Sequence, residues 1–79
     1  MNNNELRQIY VAVLNRGNDA WQRVDAISEG GDVYRIASVN SQPEERWEYV
    51  TDELVRCRTM ILPDGERVLV ATQRVDTAP

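Results

Sequence analysis

The amino-acid sequence predicts an all-β fold. No long segment carries the apolar stripe of a helix, and runs of β-branched and aromatic residues alternate instead with turn signals. The chain has 79 residues, enough for one compact domain and too few for a two-layer sandwich of full size. Curling the sheet into a barrel removes its exposed edges and encloses one core. We therefore predict a single small β-barrel over residues 1–79, with residues 1–5 and 76–79 frayed.

The predicted strands are six segments in the order Arg7–Leu14, Ala20–Ser28, Asp32–Val39, Arg46–Val50, Glu53–Leu62 and Glu66–Val75. The breaks between them have turn chemistry: a polar loop at 15–19, paired glycines at 30–31, a wider loop at 41–45 and Pro-Asp-Gly at 63–65. A partly open SH3-like barrel fits best, because the short link at 51–52 suits the tight turn that such barrels use. An OB-like barrel is the second choice, since it usually includes a helix that is not predicted here.

The turn at Pro63-Asp64-Gly65 sets the register of the last predicted hairpin. With Gly65 at positive φ in a three-residue loop, Leu62 faces Glu66. The same count gives the pairs Leu54–Arg74, Val55–Gln73, Arg56–Thr72, Cys57–Ala71 and Arg58–Val70. One face is then a core layer of Val55, Cys57, Ile61, Leu69 and Ala71. The opposite face carries Arg56, Arg58 and Arg74 among Met60, Val68 and Val70.

The paired glycines predict a second hairpin between the second and third strands. A three-residue loop over Glu29-Gly30-Gly31 places Ala26 opposite Tyr34 and Val24 opposite Ile36, and it also places Asp25 opposite Arg35. A two-residue loop would face Asp25 with Ile36, a poor match. We therefore expect the three-residue loop.

The residues that the chain lacks argue against catalysis. There is no His, and so neither the usual general base near neutral pH nor the commonest transition-metal ligand is available. The single cysteine, Cys57, cannot form an internal disulfide or a Cys-rich zinc site, and its pattern is that of a small buried hydrophobe. We predict no enzyme, no catalytic residue, no cofactor and no bound metal.

The net charge of −4 makes non-specific binding to phosphate backbones and to anionic membranes unfavourable. All nine cations are Arg, which suits planar bidentate contacts but also suits a GC-rich genome. The amino terminus lacks the basic start and the apolar stretch of a signal peptide, and no apolar run approaches the ~20 residues of a membrane span. We expect a cytoplasmic protein with no membrane partner.

Tyr10 and Trp21 are candidate binding residues. Strand alternation places Tyr10 on the face opposite to Ile9 and Val11, and it places Trp21 away from the predicted core. Exposed aromatics on a small barrel anchor a peptide or stack on a base. The alternative is that Trp21 packs against Leu14 and closes one end of the barrel.

Arg56, Arg58 and Arg74 are the other candidate binding residues. The predicted register places them on one outer face among apolar side chains, a mixture typical of interfaces. Arg7 joins them if the first strand borders the last. They could also contact phosphates, against which the net charge argues.

Two further groups of residues, an aromatic pair and an acidic cluster, are predicted to have structural rather than binding roles. Trp47 and Tyr49 share a face of a short strand and are predicted to be core. The acidic residues near the wide loop are Glu44, Glu45, Glu48, Asp52 and Glu53. Paired carboxylates can bind a divalent cation, but the spacing matches no calcium loop, so we expect a solvated acidic rim.

The motifs that carry a family resemblance are, in order, Ile9-Tyr10-Val11-Ala12-Val13-Leu14, Gly17, Trp21-Gln22-Arg23-Val24-Asp25-Ala26, Gly31-Asp32-Val33-Tyr34-Arg35-Ile36, Trp47-Glu48, Val55-Arg56-Cys57, Asp64-Gly65 and Leu69-Val70-Ala71. With them the chain resembles a family of short, uncharacterised bacterial proteins over about residues 9–75. The resemblance implies a small SH3-like β-barrel with no established activity, and it transfers no functional residue. The chain departs from the family in two places. Where members often have a Pro after the Trp-Arg pair, it has Gln22-Arg23-Val24, and where they often have Pro-Gly before Val-Arg-Cys, it has Thr51-Asp52-Glu53-Leu54.

The function that these observations predict is a non-enzymatic protein-interaction module, a small adaptor or inhibitor that acts through one barrel face. The partner is an unidentified protein or a second copy in a homodimer. The alternative is an SH3-like module associated with RNA, the ribosome or DNA, which rests on fold analogy alone.

Overall fold

A computed structural model describes residues 6–17 and 20–75. These residues form five strands: β1 Leu6–Ala12, β2 Trp21–Gly30, β3 Val33–Ile36, β4 Leu54–Ile61 and β5 Arg67–Arg74. Consecutive strands pair antiparallel, and β5 closes the barrel by pairing with β1 in parallel. The predicted all-β barrel is thereby confirmed, with five strands in place of six. The expected fraying at 1–5 and 76–79 lies outside the described residues.

The core is the inner lining of the barrel. Its buried residues are Ile9, Val11, Val13, Val24, Ala26, Tyr34, Ile36, Trp47, Tyr49, Val55, Cys57 and Ala71, with Ala20 and Leu69 packed against them. Alternate residues of each strand face inward, as the two-residue period of a strand requires. Trp47 and Tyr49 belong to this core, as predicted. They come from the segment between β3 and β4, which covers one end of the barrel.

The hairpin of β4 and β5 follows the predicted register near its turn. The Leu62 amide donates to the Glu66 carbonyl at 2.8 Å, Gly65 has a φ of 90°, and Cys57 pairs with Ala71. A bulge between Arg56 and Cys57 then shifts the register, because Thr72 is an extra residue in β5.

Beyond this bulge the predicted pairs are wrong. Val55 pairs with Arg74, and Arg56 pairs with Gln73. Residues that pair directly share a face of the sheet, so the shift moves Arg74 from the outer side of Arg56 to the inner side of Val55. The bulge therefore separates Arg74 from the other arginines of the predicted outer face.

Ile61 is not part of the core, contrary to its predicted place in the inner layer. It pairs with Arg67 near the hairpin tip, and its side chain is 65% exposed. Strand β3 is short and pairs only with the first residues of β4, from Leu54 to Arg56. From Cys57 to Ile61, β4 therefore pairs with β5 alone, and Ile61 lies beyond the part of the strand that β3 covers.

The glycine hairpin has a register different from the predicted one. Ala26 pairs with Ile36, Ile27 with Arg35 and Ser28 with Tyr34, so Asp25 does not face Arg35. The loop is Gly31-Asp32, and Glu29 is an extra residue in a bulge between Ser28 and Gly30. Because this register differs from the predicted one by two residues, every side chain stays on its predicted face.

The predicted strand Arg46–Val50 is reduced to one bridge, between Val13 and Trp47. The pairing ends there because the side chain of Asn15 makes the hydrogen bonds that the next backbone groups of β1 would make in a longer strand pair. Its Oδ1 accepts from the Arg46 amide at 2.9 Å, and its Nδ2 donates to the Glu44 carbonyl. Once a side chain satisfies these backbone groups, β1 can turn away without leaving them unpaired.

Candidate binding surface

Apolar side chains line a groove on the outside of the barrel, where β1, β2, β4 and β5 meet. We call it the outer groove; its lining residues are Tyr10, Trp21, Met60, Ile61, Leu62, Val68 and Val70, and its volume is about 110 Å³. The register explains this grouping, because Tyr10 pairs with Val70 and Met60 pairs with Val68 on the outer face. The closure of the barrel through β1 and β5 thus brings together residues that are distant in the chain.

Trp21 lies at the edge of the outer groove. Its side chain is 43% exposed, and it shares the groove with Met60, which is 48% exposed. Val70 is buried and forms the floor. The alternative packing of Trp21 against Leu14 gives neither residue a closed environment, because Leu14 is itself 57% exposed.

Two arginines flank the outer groove through cross-strand pairing. Arg58 pairs with Val70, as predicted, and Arg23 pairs with Tyr10. Arg23 was not among the predicted binding residues. The signal that could have found it was the β1–β2 register, since a pairing of Trp21 with Ala12 brings Arg23 beside Tyr10.

Arg56 lies elsewhere on the barrel. Its Nη1 donates to Asp32 Oδ1 at 2.8 Å, which ties the start of β4 to the β2–β3 turn. This ion pair is half-exposed on both sides, and pairs of this kind stabilise a fold by less than about 1 kcal/mol. The structure therefore does not bring Arg56 together with Tyr10 and Trp21.

Arg74 is also held away from the outer groove. Its Nε donates to Glu53 Oε2 at 2.7 Å, and its guanidinium carbon lies 5.6 Å from the centre of the Tyr49 ring. Burial alone would raise the pKa of the Glu53 carboxyl, but the bonds from the Val50 amide and from Arg74 outweigh it, so this pKa lies below its ordinary value of 4.5. We call Tyr49, Glu53 and Arg74 the ion-paired end.

A second depression adjoins the outer groove, between the first halves of β1 and β5. We call it the seam cleft, and its volume is about 500 Å³. Its lining residues are Arg7, Gln8, Tyr10, Arg23, Tyr34, Thr59, Glu66, Arg67, Val68 and Leu69. β1 does border the last strand, but Arg7 lines the seam cleft, whose lining includes none of Arg56, Arg58 and Arg74, which Arg7 was expected to join.

The acidic residues of the 44–53 segment divide into two groups. Glu44, Glu48 and Asp52 are exposed, in agreement with a solvated rim. Glu45 and Glu53 depart from the predicted rim, because both are partly buried and ion-paired. Glu45 pairs with Arg16 and accepts from Trp47 Nε1 at 3.3 Å, and Glu53 pairs with Arg74. Within 6–17 and 20–75, no three His, Cys, Asp or Glu side chains converge in a way that could hold a metal ion.

Cys57 is buried in the barrel wall. Burial, and next the nearby charge of Asp32, raise the pKa of its thiol from 9.0 to about 11. A thiol with such a pKa carries almost no thiolate near neutral pH, and the thiolate is the reactive form. The position of Cys57 is that of the predicted small buried hydrophobe.

The fold and this surface define an all-β, closed five-stranded barrel with an apolar groove on its outer wall. Nowhere in the described part of the chain is there a helix long and apolar enough to cross a membrane. Comparisons with protein-family models, with curated proteins and with solved structures found no match.

Proposed function

We propose that this protein is a non-enzymatic protein-interaction module that binds a partner protein in the cytoplasm through the outer groove. The observation that carries the proposal is the exposed aromatic and aliphatic lining of that groove, with Trp21 and Met60 about half exposed. Buried aromatic and arginine anchors supply most of the binding energy of protein interfaces. Tyr10 and Trp21 are the anchors, and Arg58 and Arg23 orient the partner.

The lining of the outer groove favours a protein partner over a nucleic acid. It offers aliphatic and aromatic side chains and no charged group, which suits an aliphatic side chain of a partner protein. The net charge of −4 acts in the same direction, because it repels a phosphate backbone.

We also propose that the barrel is of the SH3-like kind. Its short strands, its hairpin connections and the tight turn before β4 support this proposal. That turn is closed by a bond from the Glu53 amide to the Val50 carbonyl at 3.1 Å.

The experiment is affinity capture of the partner protein. Three proteins serve as baits side by side: wild type, Trp21→Ala and the control Val39→Ala. Val39 is 74% exposed and lies outside the outer groove, so its truncation removes exposed apolar surface elsewhere. We expect the partner to bind to wild type and Val39→Ala and to be lost from Trp21→Ala. The melting temperature of Trp21→Ala should stay close to that of wild type.

Several results would contradict the proposal. One is equal capture by all three proteins, and another is a Trp21→Ala protein that melts several degrees lower but binds normally per folded molecule, which would assign Trp21 to the core. Partners that disappear with nuclease and resist protease would replace the proposal with the nucleic-acid alternative. A homodimer would appear as a concentration-dependent mass in sedimentation that Trp21→Ala abolishes; it would identify the protein partner as a second copy.

A further inference from the structure

We infer that the seam cleft binds the carboxylates of an extended acidic segment in the partner, next to an apolar side chain held in the outer groove. This inference rests on the proposed function and adds to it the chemical class of the partner segment. The occupant follows from three features of the structure: the shape of the seam, the charge of its lining and its continuity with the outer groove.

The shape of the seam comes from incomplete pairing between β1 and β5. β1 pairs with β2 from Leu6 to Ala12, and β4 pairs with β5 over most of their lengths. The pairing of β1 with β5, by contrast, consists of the single pair Tyr10–Val70. The first residues of the two strands diverge from this point, and the seam cleft lies between them, with residues of both strands in its walls. A cleft between two diverging strands suits an extended segment.

The charge of the lining is positive. Arg7, Arg23 and Arg67 line the seam cleft against one carboxylate, Glu66. Among residues 6–17 and 20–75, none of these three guanidiniums lies within salt-bridge distance of a carboxylate, whereas Arg16, Arg35, Arg56 and Arg74 all do. This local excess of cations occurs in a chain whose net charge is −4. Guanidinium groups match the geometry of a carboxylate with two parallel hydrogen bonds.

The seam cleft and the outer groove are continuous. Tyr10 and Val68 line both of them, so a bound segment can pass from one into the other. The partner segment is therefore acidic where it crosses the seam cleft and carries an aliphatic side chain where it reaches Trp21. A lone anion would use only the cleft, and a purely apolar segment would use only the groove.

The test uses a short peptide of alternating glutamate and leucine, its glutamine–leucine counterpart, and single-stranded oligouridylate as the nucleic-acid probe. Each is titrated into isotopically labelled protein, and the backbone amide and arginine side-chain signals are followed by NMR. The protein variants are Arg67→Gln, Arg23→Gln, Glu66→Gln and the control Arg46→Gln. Arg46 is exposed and lines neither the seam cleft nor the outer groove, so this control makes the same change in net charge elsewhere.

We expect the acidic peptide to shift the signals of β1 and β5 and to bind more tightly than its glutamine counterpart. Arg67→Gln and Arg23→Gln should each weaken binding roughly two- to fivefold, the range of exposed charge pairs. Glu66→Gln should strengthen it by a similar factor, since it removes the one carboxylate of the lining. Raising the salt from about 50 to about 300 mM should reduce these differences.

Three results would overturn the inference. Equal losses in Arg67→Gln and Arg46→Gln would show that only net charge matters. An unchanged affinity in Glu66→Gln would place the peptide outside the seam cleft. Tighter binding of oligouridylate than of the acidic peptide, lost with the same arginines, would assign the cleft to nucleic acid. None of these results depends on the Trp21→Ala capture experiment, so a failure here is distinct from a failure of the proposed function.

Discussion

The outer groove and the ion-paired end use the same kinds of residues in opposite ways. Each combines aromatic rings with arginine. At the ion-paired end, Arg74 bonds to Glu53 and lies against Tyr49, so its contacts are within the molecule. At the outer groove, Trp21 is 43% exposed and Arg23 has no carboxylate partner among the described residues. Residue type alone therefore does not distinguish a structural cluster from a binding surface. The distinction lies in whether the aromatic and arginine side chains find their contacts within the molecule.

The bulge in β5 produces this difference. In a β5 without the bulge, Thr72 would pair with Arg56 and Arg74 would lie on the same outer face as Arg56, as the regular register predicts. With it, Arg74 lies on the inner side at the end of the barrel, where Glu53 and Tyr49 are within reach. The bulge thus separates Arg74, which pairs with Glu53, from Arg58, which flanks the outer groove.

The largest expected effect separates the two tryptophans. Trp47→Ala should lower the free energy of unfolding by about 3–5 kcal/mol, because it opens a cavity in the core that covers the barrel end. Trp21→Ala should lower it by about 0.5 kcal/mol or less, since the side chain is already half in solvent. Urea denaturation of both variants measures the contrast. Similar losses in the two variants would show that the outer groove is part of the core.

The next effect concerns Glu53→Gln. This change should lower the free energy of unfolding by about 1 kcal/mol at neutral pH, a value that allows for the exposure of Arg74 to solvent. The folded state holds the pKa of Glu53 below 4.5, so this stabilisation is complete above that value and disappears as the pH falls through the folded-state pKa. The difference from wild type should therefore shrink between about pH 5 and about pH 3. Urea midpoints across this range measure it, and a difference independent of pH would contradict the ion pair.

Thiol labelling of Cys57 gives a third contrast. With a pKa of about 11 and a buried position, the thiol should react at about pH 8 only when the barrel opens. Glu53→Gln should raise the labelling rate roughly fivefold, in line with its loss of about 1 kcal/mol. An Arg58→Gln variant at the outer groove should leave the rate nearly unchanged. Equal acceleration in both variants would argue against a structural difference between the two regions.

The smallest effect belongs to the turn that leads into the ion-paired end. Asp52 has a φ of 72°, in the left-handed region that glycine enters without strain. Asp52→Gly should raise the free energy of unfolding by about 0.5 kcal/mol, because relief of strain slightly exceeds the added entropy of the unfolded chain. Thermal unfolding at neutral pH measures it. A clear loss of stability would mean that the Asp52 carboxylate itself stabilises the turn.

The sequence predicted the barrel and most of its inner lining because both depend on local signals. The period of two places Ile9 and Val11 inward, and the Pro-Asp-Gly turn sets the pairing of Cys57 with Ala71. The positions of Tyr10 and Trp21 on the outer face follow from the same alternation. These features need only neighbouring residues, and the structure reproduces them.

The features that the sequence did not predict depend on contacts between distant residues. The bulges at Thr72 and Glu29 have no local signal, and the reduction of the fourth predicted strand to one bridge depends on the side chain of Asn15. The seam cleft arises only because β1 and β5 diverge after a single pair. Arg67 becomes a neighbour of Tyr10 through that closure, so its place in the site required the complete topology, whereas Arg23 lies beside Tyr10 through the β1–β2 pairing.

The most direct test of the account compares Trp21→Ala and Arg74→Gln in one peptide titration, with the melting temperature of each recorded alongside. The account predicts that Trp21→Ala loses affinity for the glutamate–leucine peptide and keeps its stability, whereas Arg74→Gln loses stability and keeps its affinity. The opposite result, with Arg74→Gln losing affinity and Trp21→Ala losing only stability, would contradict it.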